Sequence, residues 1–320
     1  MLHLDRVLRS NLKLRHLQLL VALDQFRHLG RAAEFLSLTQ PAVSKTLAEI
    51  ERLFGLALFN RSTRGTEPTD YGQTVVRFAR AVLAEYDRTQ DDIAAIASGA
   101  AGRVSVGAMV VAMPELLTRA VVRLKAQSSQ TRVVIEEGDL TRLLPRLRVG
   151  ELDLIVGRLE PGYAAPDLRT EVLRVDEPMV IACRPDHALT RCGADGATDW
   201  DALAAAPWVV PPAWASSRVK LNQLFYRHGR HPPTDLIESA SFLVTLTFLR
   251  ERGALAFVAR GVAQALEREG LAVALPVAVP IELPPVGIIT LAGRELTPAS
   301  GQMVACLRAV AQDAGLAAAG

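Results

Sequence analysis

Cysteine is scarce in this 320-residue chain: Cys183, Cys192 and Cys306 make an odd number at wide spacing. That argues against a disulfide framework and against a zinc site. It leaves a redox role for Cys183 and Cys192 open beside ordinary packing. Long apolar runs are missing too. No uninterrupted stretch approaches the roughly 18 residues a membrane span needs. Charges break every apolar run of the opening MLHLDRVLRS, so no secretory leader, no membrane partner and a cytoplasmic location are expected. Catalytic signatures are absent as well: there is no P-loop, no Rossmann glycine fingerprint, no HExxH and no GxSxG elbow. The six histidines, His3, His16, His28, His187, His228 and His231, show no ligand or triad spacing, and His228 and His231 flank a Gly-Arg pair that reads as a solvated turn. An enzyme is not expected, nor a cofactor or bound metal.

What is there points to a multidomain globular protein. The chain exceeds the size at which single cores stop growing, half of it is hydrophobic and 22% is charged. The net charge of +2 is unevenly divided. Residues 1–69 hold ten Lys and Arg against six Asp and Glu, a net +4, which leaves −2 for the rest. A basic head on a mildly acidic body suits a polyanionic partner for the head.

Within that head, Leu14, Leu17, Leu20 and Val21 recur at helical spacing, and Ala32, Ala33 and Leu36 form a second, shorter set. The segment Leu38-Thr39-Gln40-Pro41 interrupts the pattern; Thr39 is a good N-cap, and Pro41 is tolerated in a first helical turn. A third helix carries its apolar stripe at Val43, Leu47, Ile50 and Phe54 and stops at Gly55. Two helices joined by a short turn, with small alanines permitting close approach, describe a helix-turn-helix. Near the N-terminus of the third helix stand Gln40, Ser44 and Lys45, where this motif meets the major groove. Gln can pair with adenine edges, Ser with bases or phosphates, and Lys with a phosphate; the same polar face would also serve an ordinary surface helix. From Leu58 to Thr69 two arginines, Arg61 and Arg64, surround a glycine-containing turn, reading as a β-hairpin with a positive tip beside the groove.

Four pieces in this order, Ala32-Ala33, Thr39-Gln40-Pro41-Ala42-Val43-Ser44, Leu58-Phe59-Asn60-Arg61 and Thr69-Asp70-Tyr71-Gly72, together resemble the signature of LysR-type transcriptional regulators. The resemblance implies that Gln40, Pro41 and Ser44 face bases and that Lys45, Arg61 and Arg64 face phosphates of promoter DNA. Two departures stand out: His28 occupies a place usually held by a small polar cap, and Pro68 replaces an aliphatic residue in the wing, where it cannot donate a ladder hydrogen bond.

Between Asp70 and Ala97 there is no proline, and no glycine after Gly72. Val75, Phe78, Val82, Tyr86, Thr89, Ile93 and Ile96 fall at alternating steps of three and four, a heptad-like seam. Such a helix lies either on its own subunit or against a second copy, and the resemblance implies a homodimer, with homotetramers built from pairs of dimers. Residues 98–102 read as a hinge. Beyond them strands and helices alternate: strands at Arg103–Gly107, Thr131–Glu136 and Leu152–Val156, with helices at Pro114–Ala126 and Leu140–Val149 between. Later strands are expected at Met179–Cys183, Ile237–Ser239, Ala254–Val258 and Val286–Leu291, and helices at Arg218–His228, Phe242–Glu251 and Pro298–Gln312.

The fold class is therefore α/β with an N-terminal all-α winged helix-turn-helix (residues 1–69), a long linker helix (70–97), a hinge (98–102) and a C-terminal α/β body (103–320). The resemblance implies that this body is two-lobed and of periplasmic-binding-protein type, lobe I comprising 103–172 and 276–320 and lobe II 173–275. Ligands of open α/β sheets sit beyond the carboxyl ends of strands, against helix N-termini that favour anions. Met109 and Val110 after the first strand, Arg158 after the third, Trp214, Ser216 and Ser217 before one helix and Phe242 opening another are the candidates for holding a small-molecule effector. Arg158, Ser216 and Ser217 suit a carboxylate or sulfonate and Trp214 an apolar wall; an interlobe ion pair for Arg158 and core packing for Trp214 are equally open. The run from Leu143 to Leu159 resembles the branch of the family containing regulators of protocatechuate degradation and of a galactose-binding protein gene, which implies an organic acid or a sugar as effector. A cytosolic small-molecule-binding module whose helical head binds a protein partner is the alternative.

Overall fold

The computed structural model describes residues 7–62, 65–98, 102–175, 178–191, 198–213, 215–281 and 283–313. Arg64, Trp214, Cys192 and most of the hinge expected at 98–102 lie outside these described residues.

Three helices form the head: α1 (Leu14–Phe26), α2 (Leu29–Phe35) and α3 (Gln40–Phe54). Their inward faces, with Leu20, Leu23, Ala32, Ala33, Val43, Leu47 and Ile50, meet in one core, and the alanines let α2 approach closely. The ends of α3 follow from local chemistry. Thr39 Oγ1 accepts the Ala42 amide at its start, and Gly55 closes it in the left-handed conformation at φ 65°. His28 resolves the first departure: its ring caps α2, Nδ1 accepting from the Gly30 and Arg31 amides at 3.1 and 3.4 Å. The wing is a hairpin of β1 (Phe59–Ser62) and β2 (Gly65–Pro68). Pro68 sits opposite Phe59 at its open end, and the next backbone bond there is donated by Thr69, to the Leu58 carbonyl oxygen. Glu51 of α3 accepts the backbone amides of Leu58 and Phe59 at 2.8 and 3.1 Å, which fixes the wing to the third helix.

The linker α4 (Asp70–Ser98) leaves the wing through a tight passage. A side chain at Gly72 would overlap the Leu58 carbonyl oxygen, so only glycine fits. Val76 and Ala79 pack α4 on the head, while Tyr71, Phe78, Tyr86 and Ile93 stay exposed along it.

Two five-stranded sheets build the body. The first takes β3 (Arg103–Ala108), β4 (Arg132–Glu137), β5 (Leu154–Arg158), β6 (Leu168–Arg174) and the late strand β12 (Val286–Leu291), in the order β4-β3-β5-β12-β6. The parallel strands β3, β4 and β5 are connected by α5 (Thr118–Gln127) and α6 (Leu140–Arg148). The helix expected from Pro114 opens with an irregular wide turn, Met113–Leu117, before α5 begins. The second sheet holds β7 (Met179–Cys183), β8 (Trp208–Val210), β9 (Leu236–Glu238), β10 (Leu255–Ala259) and β11 (Val273–Ala274), ordered β11-β7-β10-β8-β9. Around it lie α7 (Trp200–Ala205), α8 (Ser216–Arg227), α9 (Phe242–Glu251) and α10 (Arg260–Arg268). The last helix, α11 (Pro298–Asp313), returns to the first sheet, where Met303 and Leu307 enter its core. The chain leaves the first sheet after Arg174, two residues past the crossing expected near 172. It rejoins that sheet only at Val286, later than the boundary expected at 275, because Val277, Val279, Ile281 and Leu283 still pack on the second sheet.

A row of ion pairs ties lobe I to α4 and the head. Arg80 bonds Asp24 of α1 and Glu151 of the body, both at 3.0 Å. Arg88 meets Asp153 at 2.7 Å, and Arg294 meets Glu85 at 2.6 Å.

Candidate nucleic-acid interface and interlobe cleft

The N-terminal turn of α3 is exposed. Gln40, Pro41 and Lys45 face solvent, and Ser44 is half-buried between them. Their placement follows from the amphipathic repeat, because Val43 and Leu47 must point inward. Arg61 of the wing lies against the same turn: its guanidinium donates to Ser44 Oγ at 3.0 Å and lies 3.6 Å from Glu51. The surface therefore joins a groove-sized helix end to a wing cation, with Gln40 and Lys45 beside it. Arg61, expected to face a phosphate, thus also has two partners on α3, Ser44 and Glu51, that its sequence position did not announce.

A cleft of about 670 Å³ opens between the two sheets. Segments that lie far apart in sequence converge on it. Lobe I contributes Met109 and Val110 after β3, Arg158 at the end of β5, and Asp139 with Leu140 at the start of α6. From lobe II come Ser216 and Ser217 at the start of α8, with Phe242 opening α9. Strand ends and helix starts meet there because both sheets run their parallel strands toward the gap. Asp139 and Ser241 cap α6 and α9, accepting from the Arg142 and Val244 amides.

Arg158 is only 6% exposed. Among the described residues its hydrogen bonds go to the Pro284 carbonyl oxygen at 3.0 Å and the Met179 sulfur at 3.5 Å, and neither partner carries charge. Burial pushes its pKa down to about 10, Glu160 opposes that shift, and Arg174 adds to it. The guanidinium thus stays charged at neutral pH, balanced in part by the Glu160 carboxylate and by no charged hydrogen-bond partner among the described residues. The apolar wall is made by Phe257, Val262 and Met179. Ser216 does not stand free: its hydroxyl donates to Glu160 of the opposite lobe at 2.7 Å. Sequence reasoning missed Glu160 and Tyr163, which follow β5 in a short turn without periodicity, and missed Asp139, although an Asp before Leu140 is an N-cap signal. The cysteines lie elsewhere. Cys183 is buried in the second sheet with its pKa pushed up to about 11 by burial, and Cys306 is buried in α11 with its pKa raised for the same reason. Neither is a reactive thiolate.

Known proteins share both halves. Residues 14–73 match the bacterial regulatory helix-turn-helix protein, lysR family, and residues 97–312 match the LysR substrate binding domain. The HTH-type transcriptional regulator GbpR of Azospirillum brasilense is 33% identical over 303 residues, 94% of this chain and 87% of that one. The HTH-type transcriptional regulator PcaQ of Agrobacterium fabrum is 30% identical over 284 residues, 87% of this chain and 88% of that one. A crystal structure of full-length CbnR complexed with its target DNA superposes with a TM-score of 0.67, at 19% identity over 93% of this chain and all of that one, a likeness of fold. The resemblance read from the four head motifs is thereby confirmed, and the chain belongs to the LysR family of DNA-binding transcriptional regulators with an effector-binding domain.

Proposed function

We propose that this regulator senses a small organic acid in the interlobe cleft and reads its promoter through the N-terminal turn of α3. The observation that carries the effector class is Arg158: a buried cation on the cleft floor, hydrogen-bonded to neutral groups alone among the described residues. An anion arriving there gains a charge-assisted bond to a cation that burial has already taken largely out of solvent. Met109, Val110 and Phe242 supply apolar contact, and Ser217 a helix-start polar group. A sugar is the second reading, favoured by the carboxylates Glu137 and Asp139 on the lobe I rim, which can accept hydroxyl hydrogens.

On the DNA side, Gln40, Pro41 and Ser44 meet base edges, and Lys45, Arg61 and Arg64 meet phosphates. Residues 1–69 act as the reader, 70–97 pair two copies along the exposed stripe of α4, 98–102 form the hinge and 103–320 the sensor. Pairs of dimers form the working tetramer in the cytoplasm, and effector binding shifts an existing equilibrium between arrangements of the heads. The protein acts by binding and not by catalysis.

The test is a thermal-shift panel of aromatic acids, diacids, sulfonates and sugars against the full chain. A ligand at 100 times its dissociation constant stabilises by about 2.7 kcal/mol, which moves the midpoint by several degrees at roughly 2–4 °C per kcal/mol. An acid that shifts the wild type and leaves Arg158→Ala unmoved supports the anionic reading. A sugar that shifts both equally replaces it with the second.

A further inference from the structure

The start of α8 is where a ligand's carboxylate is expected, and one of the protein's own carboxylates is already there. Ser216 opens α8, and its hydroxyl donates to Glu160 Oε1 at 2.7 Å. Glu160 stands two residues beyond β5 in lobe I while Ser216 belongs to lobe II, so this bond spans the cleft, and both residues line it. The helix is twelve residues long, and its N-cap, Ala215, has no side-chain oxygen to satisfy the first amides. A carboxylate is therefore favoured there by the helix dipole as well as by the hydroxyl. Glu160 also faces the second electropositive feature of the cleft, because its charge offsets part of the burial cost of Arg158. It is half-buried at the rim, with solvent to swing into.

We propose that Glu160 is a tethered occupant of the effector site, closing the cleft through Ser216, and that an anionic effector binds by displacing it. The inference rests on the anionic reading of the cleft. It makes the affinity for any acid a difference between two carboxylates, one of them held at high effective concentration by the chain. A ligand with a single weakly placed carboxylate then gains little. One that reaches Arg158 and also satisfies the α8 start gains most, so the tether acts as a selectivity filter.

The experiment uses the full chain in a Cys192→Ser background, with spin labels on Gly162→Cys and Leu243→Cys. These sites lie in lobe I and lobe II, and both are exposed. Without ligand, Glu160→Ala and Ser216→Ala should each lengthen the interlobe distance, and the double variant should lengthen it no further. An unchanged distance in both single variants overturns the closing role. Benzoate is then titrated calorimetrically. Glu160→Ala should bind it about tenfold more tightly than the wild type, within the usual range of coupling between linked sites. Glu160→Gln, which keeps an acceptor and loses the charge, should fall between them. Binding that Arg158→Ala abolishes but Glu160→Ala leaves unchanged overturns displacement alone. No benzoate binding to any variant overturns displacement together with the anionic reading of the cleft.

Discussion

Arg158 shows how a single residue can carry both a cost and a function. Its burial depresses the guanidinium's pKa to about 10, and no charged hydrogen-bond partner among the described residues compensates. In the unliganded protein the charged form is therefore disfavoured relative to water, while remaining dominant at neutral pH. An anion that pairs with it stabilises the charged form, so binding draws on a proton that is present below about pH 10. The expected outcome is an affinity for benzoate that holds steady from pH 6 to pH 9 and falls above 10; titration calorimetry across that range checks it. An affinity that rises with pH through 10 would exclude Arg158 as the anion's partner. The sequence showed Arg158 as a candidate only because it followed a strand. What makes it consequential, burial beside Met179 and Pro284, depends on chain segments 21 and 126 residues away. Glu160 was invisible for the same reason, since its partner Ser216 is 56 residues distant.

Elements were legible where periodicity is strong and one face is buried. The stripe of α3 and its caps, Thr39 and Gly55, were readable in full because helix ends are decided by local chemistry. Strand β6, by contrast, reads Leu-Arg-Thr-Glu-Val-Leu-Arg, an edge strand with only its last two residues buried and no apolar run to announce it. Strand β8 is three fully buried residues, too short for any period to show. Strand β11 has two, and α7 and α10 went unread between the expected elements.

Gly72 gives the sharpest prediction at this scale. Gly72→Ala must push α4 off the Leu58 carbonyl, so the head should lose several degrees of melting temperature, in line with backbone-strain substitutions elsewhere. A melting curve matching wild type would refute the close approach. The linker offers a second test. Tyr71, Phe78, Tyr86 and Ile93 repeat at steps of seven, eight and seven, with Ile93 63% exposed. A stripe of that spacing suits a second helix more than water. Tyr86→Glu with Ile93→Glu should lower the sedimenting mass at micromolar concentration while the far-UV spectrum stays helical. An unchanged mass would move the contact between copies off α4.

At the scale of the molecule, the head, α4 and lobe I are joined through charge. Arg80 stands between Asp24 and Glu151, and Arg146 reaches from α6 to Glu151 at 2.6 Å and on to Glu136. Helix α6 begins at the cleft with Asp139 and ends in this network, so cleft and head share a physical connection. Partly exposed pairs contribute roughly 0.2–1 kcal/mol each, which makes the seam easy to loosen without unfolding either part. Arg80→Ala should raise amide exchange around residues 146–153 and leave the α3 core protected; protection unchanged throughout would show that lobe I is held by other contacts. None of this seam was foreseen, because no local pattern pairs residues 56 or 71 positions apart.

The central claim is that the head reads DNA through α3 and the wing, and a salt titration of binding tests it most directly. Duplex sites would be selected from random sequence by the purified protein, and affinities for a selected site and a scrambled one measured from low to moderate salt. Binding through phosphates falls with a log–log slope near −0.9 per contact on B-DNA. A steep slope is expected for the wild type. Lys45→Ala should flatten it by about one contact and weaken both duplexes alike, whereas Gln40→Ala should keep the slope and lose discrimination between them. Association indifferent to salt, or equal loss on both duplexes for Gln40→Ala, would contradict the assignment of this surface to DNA.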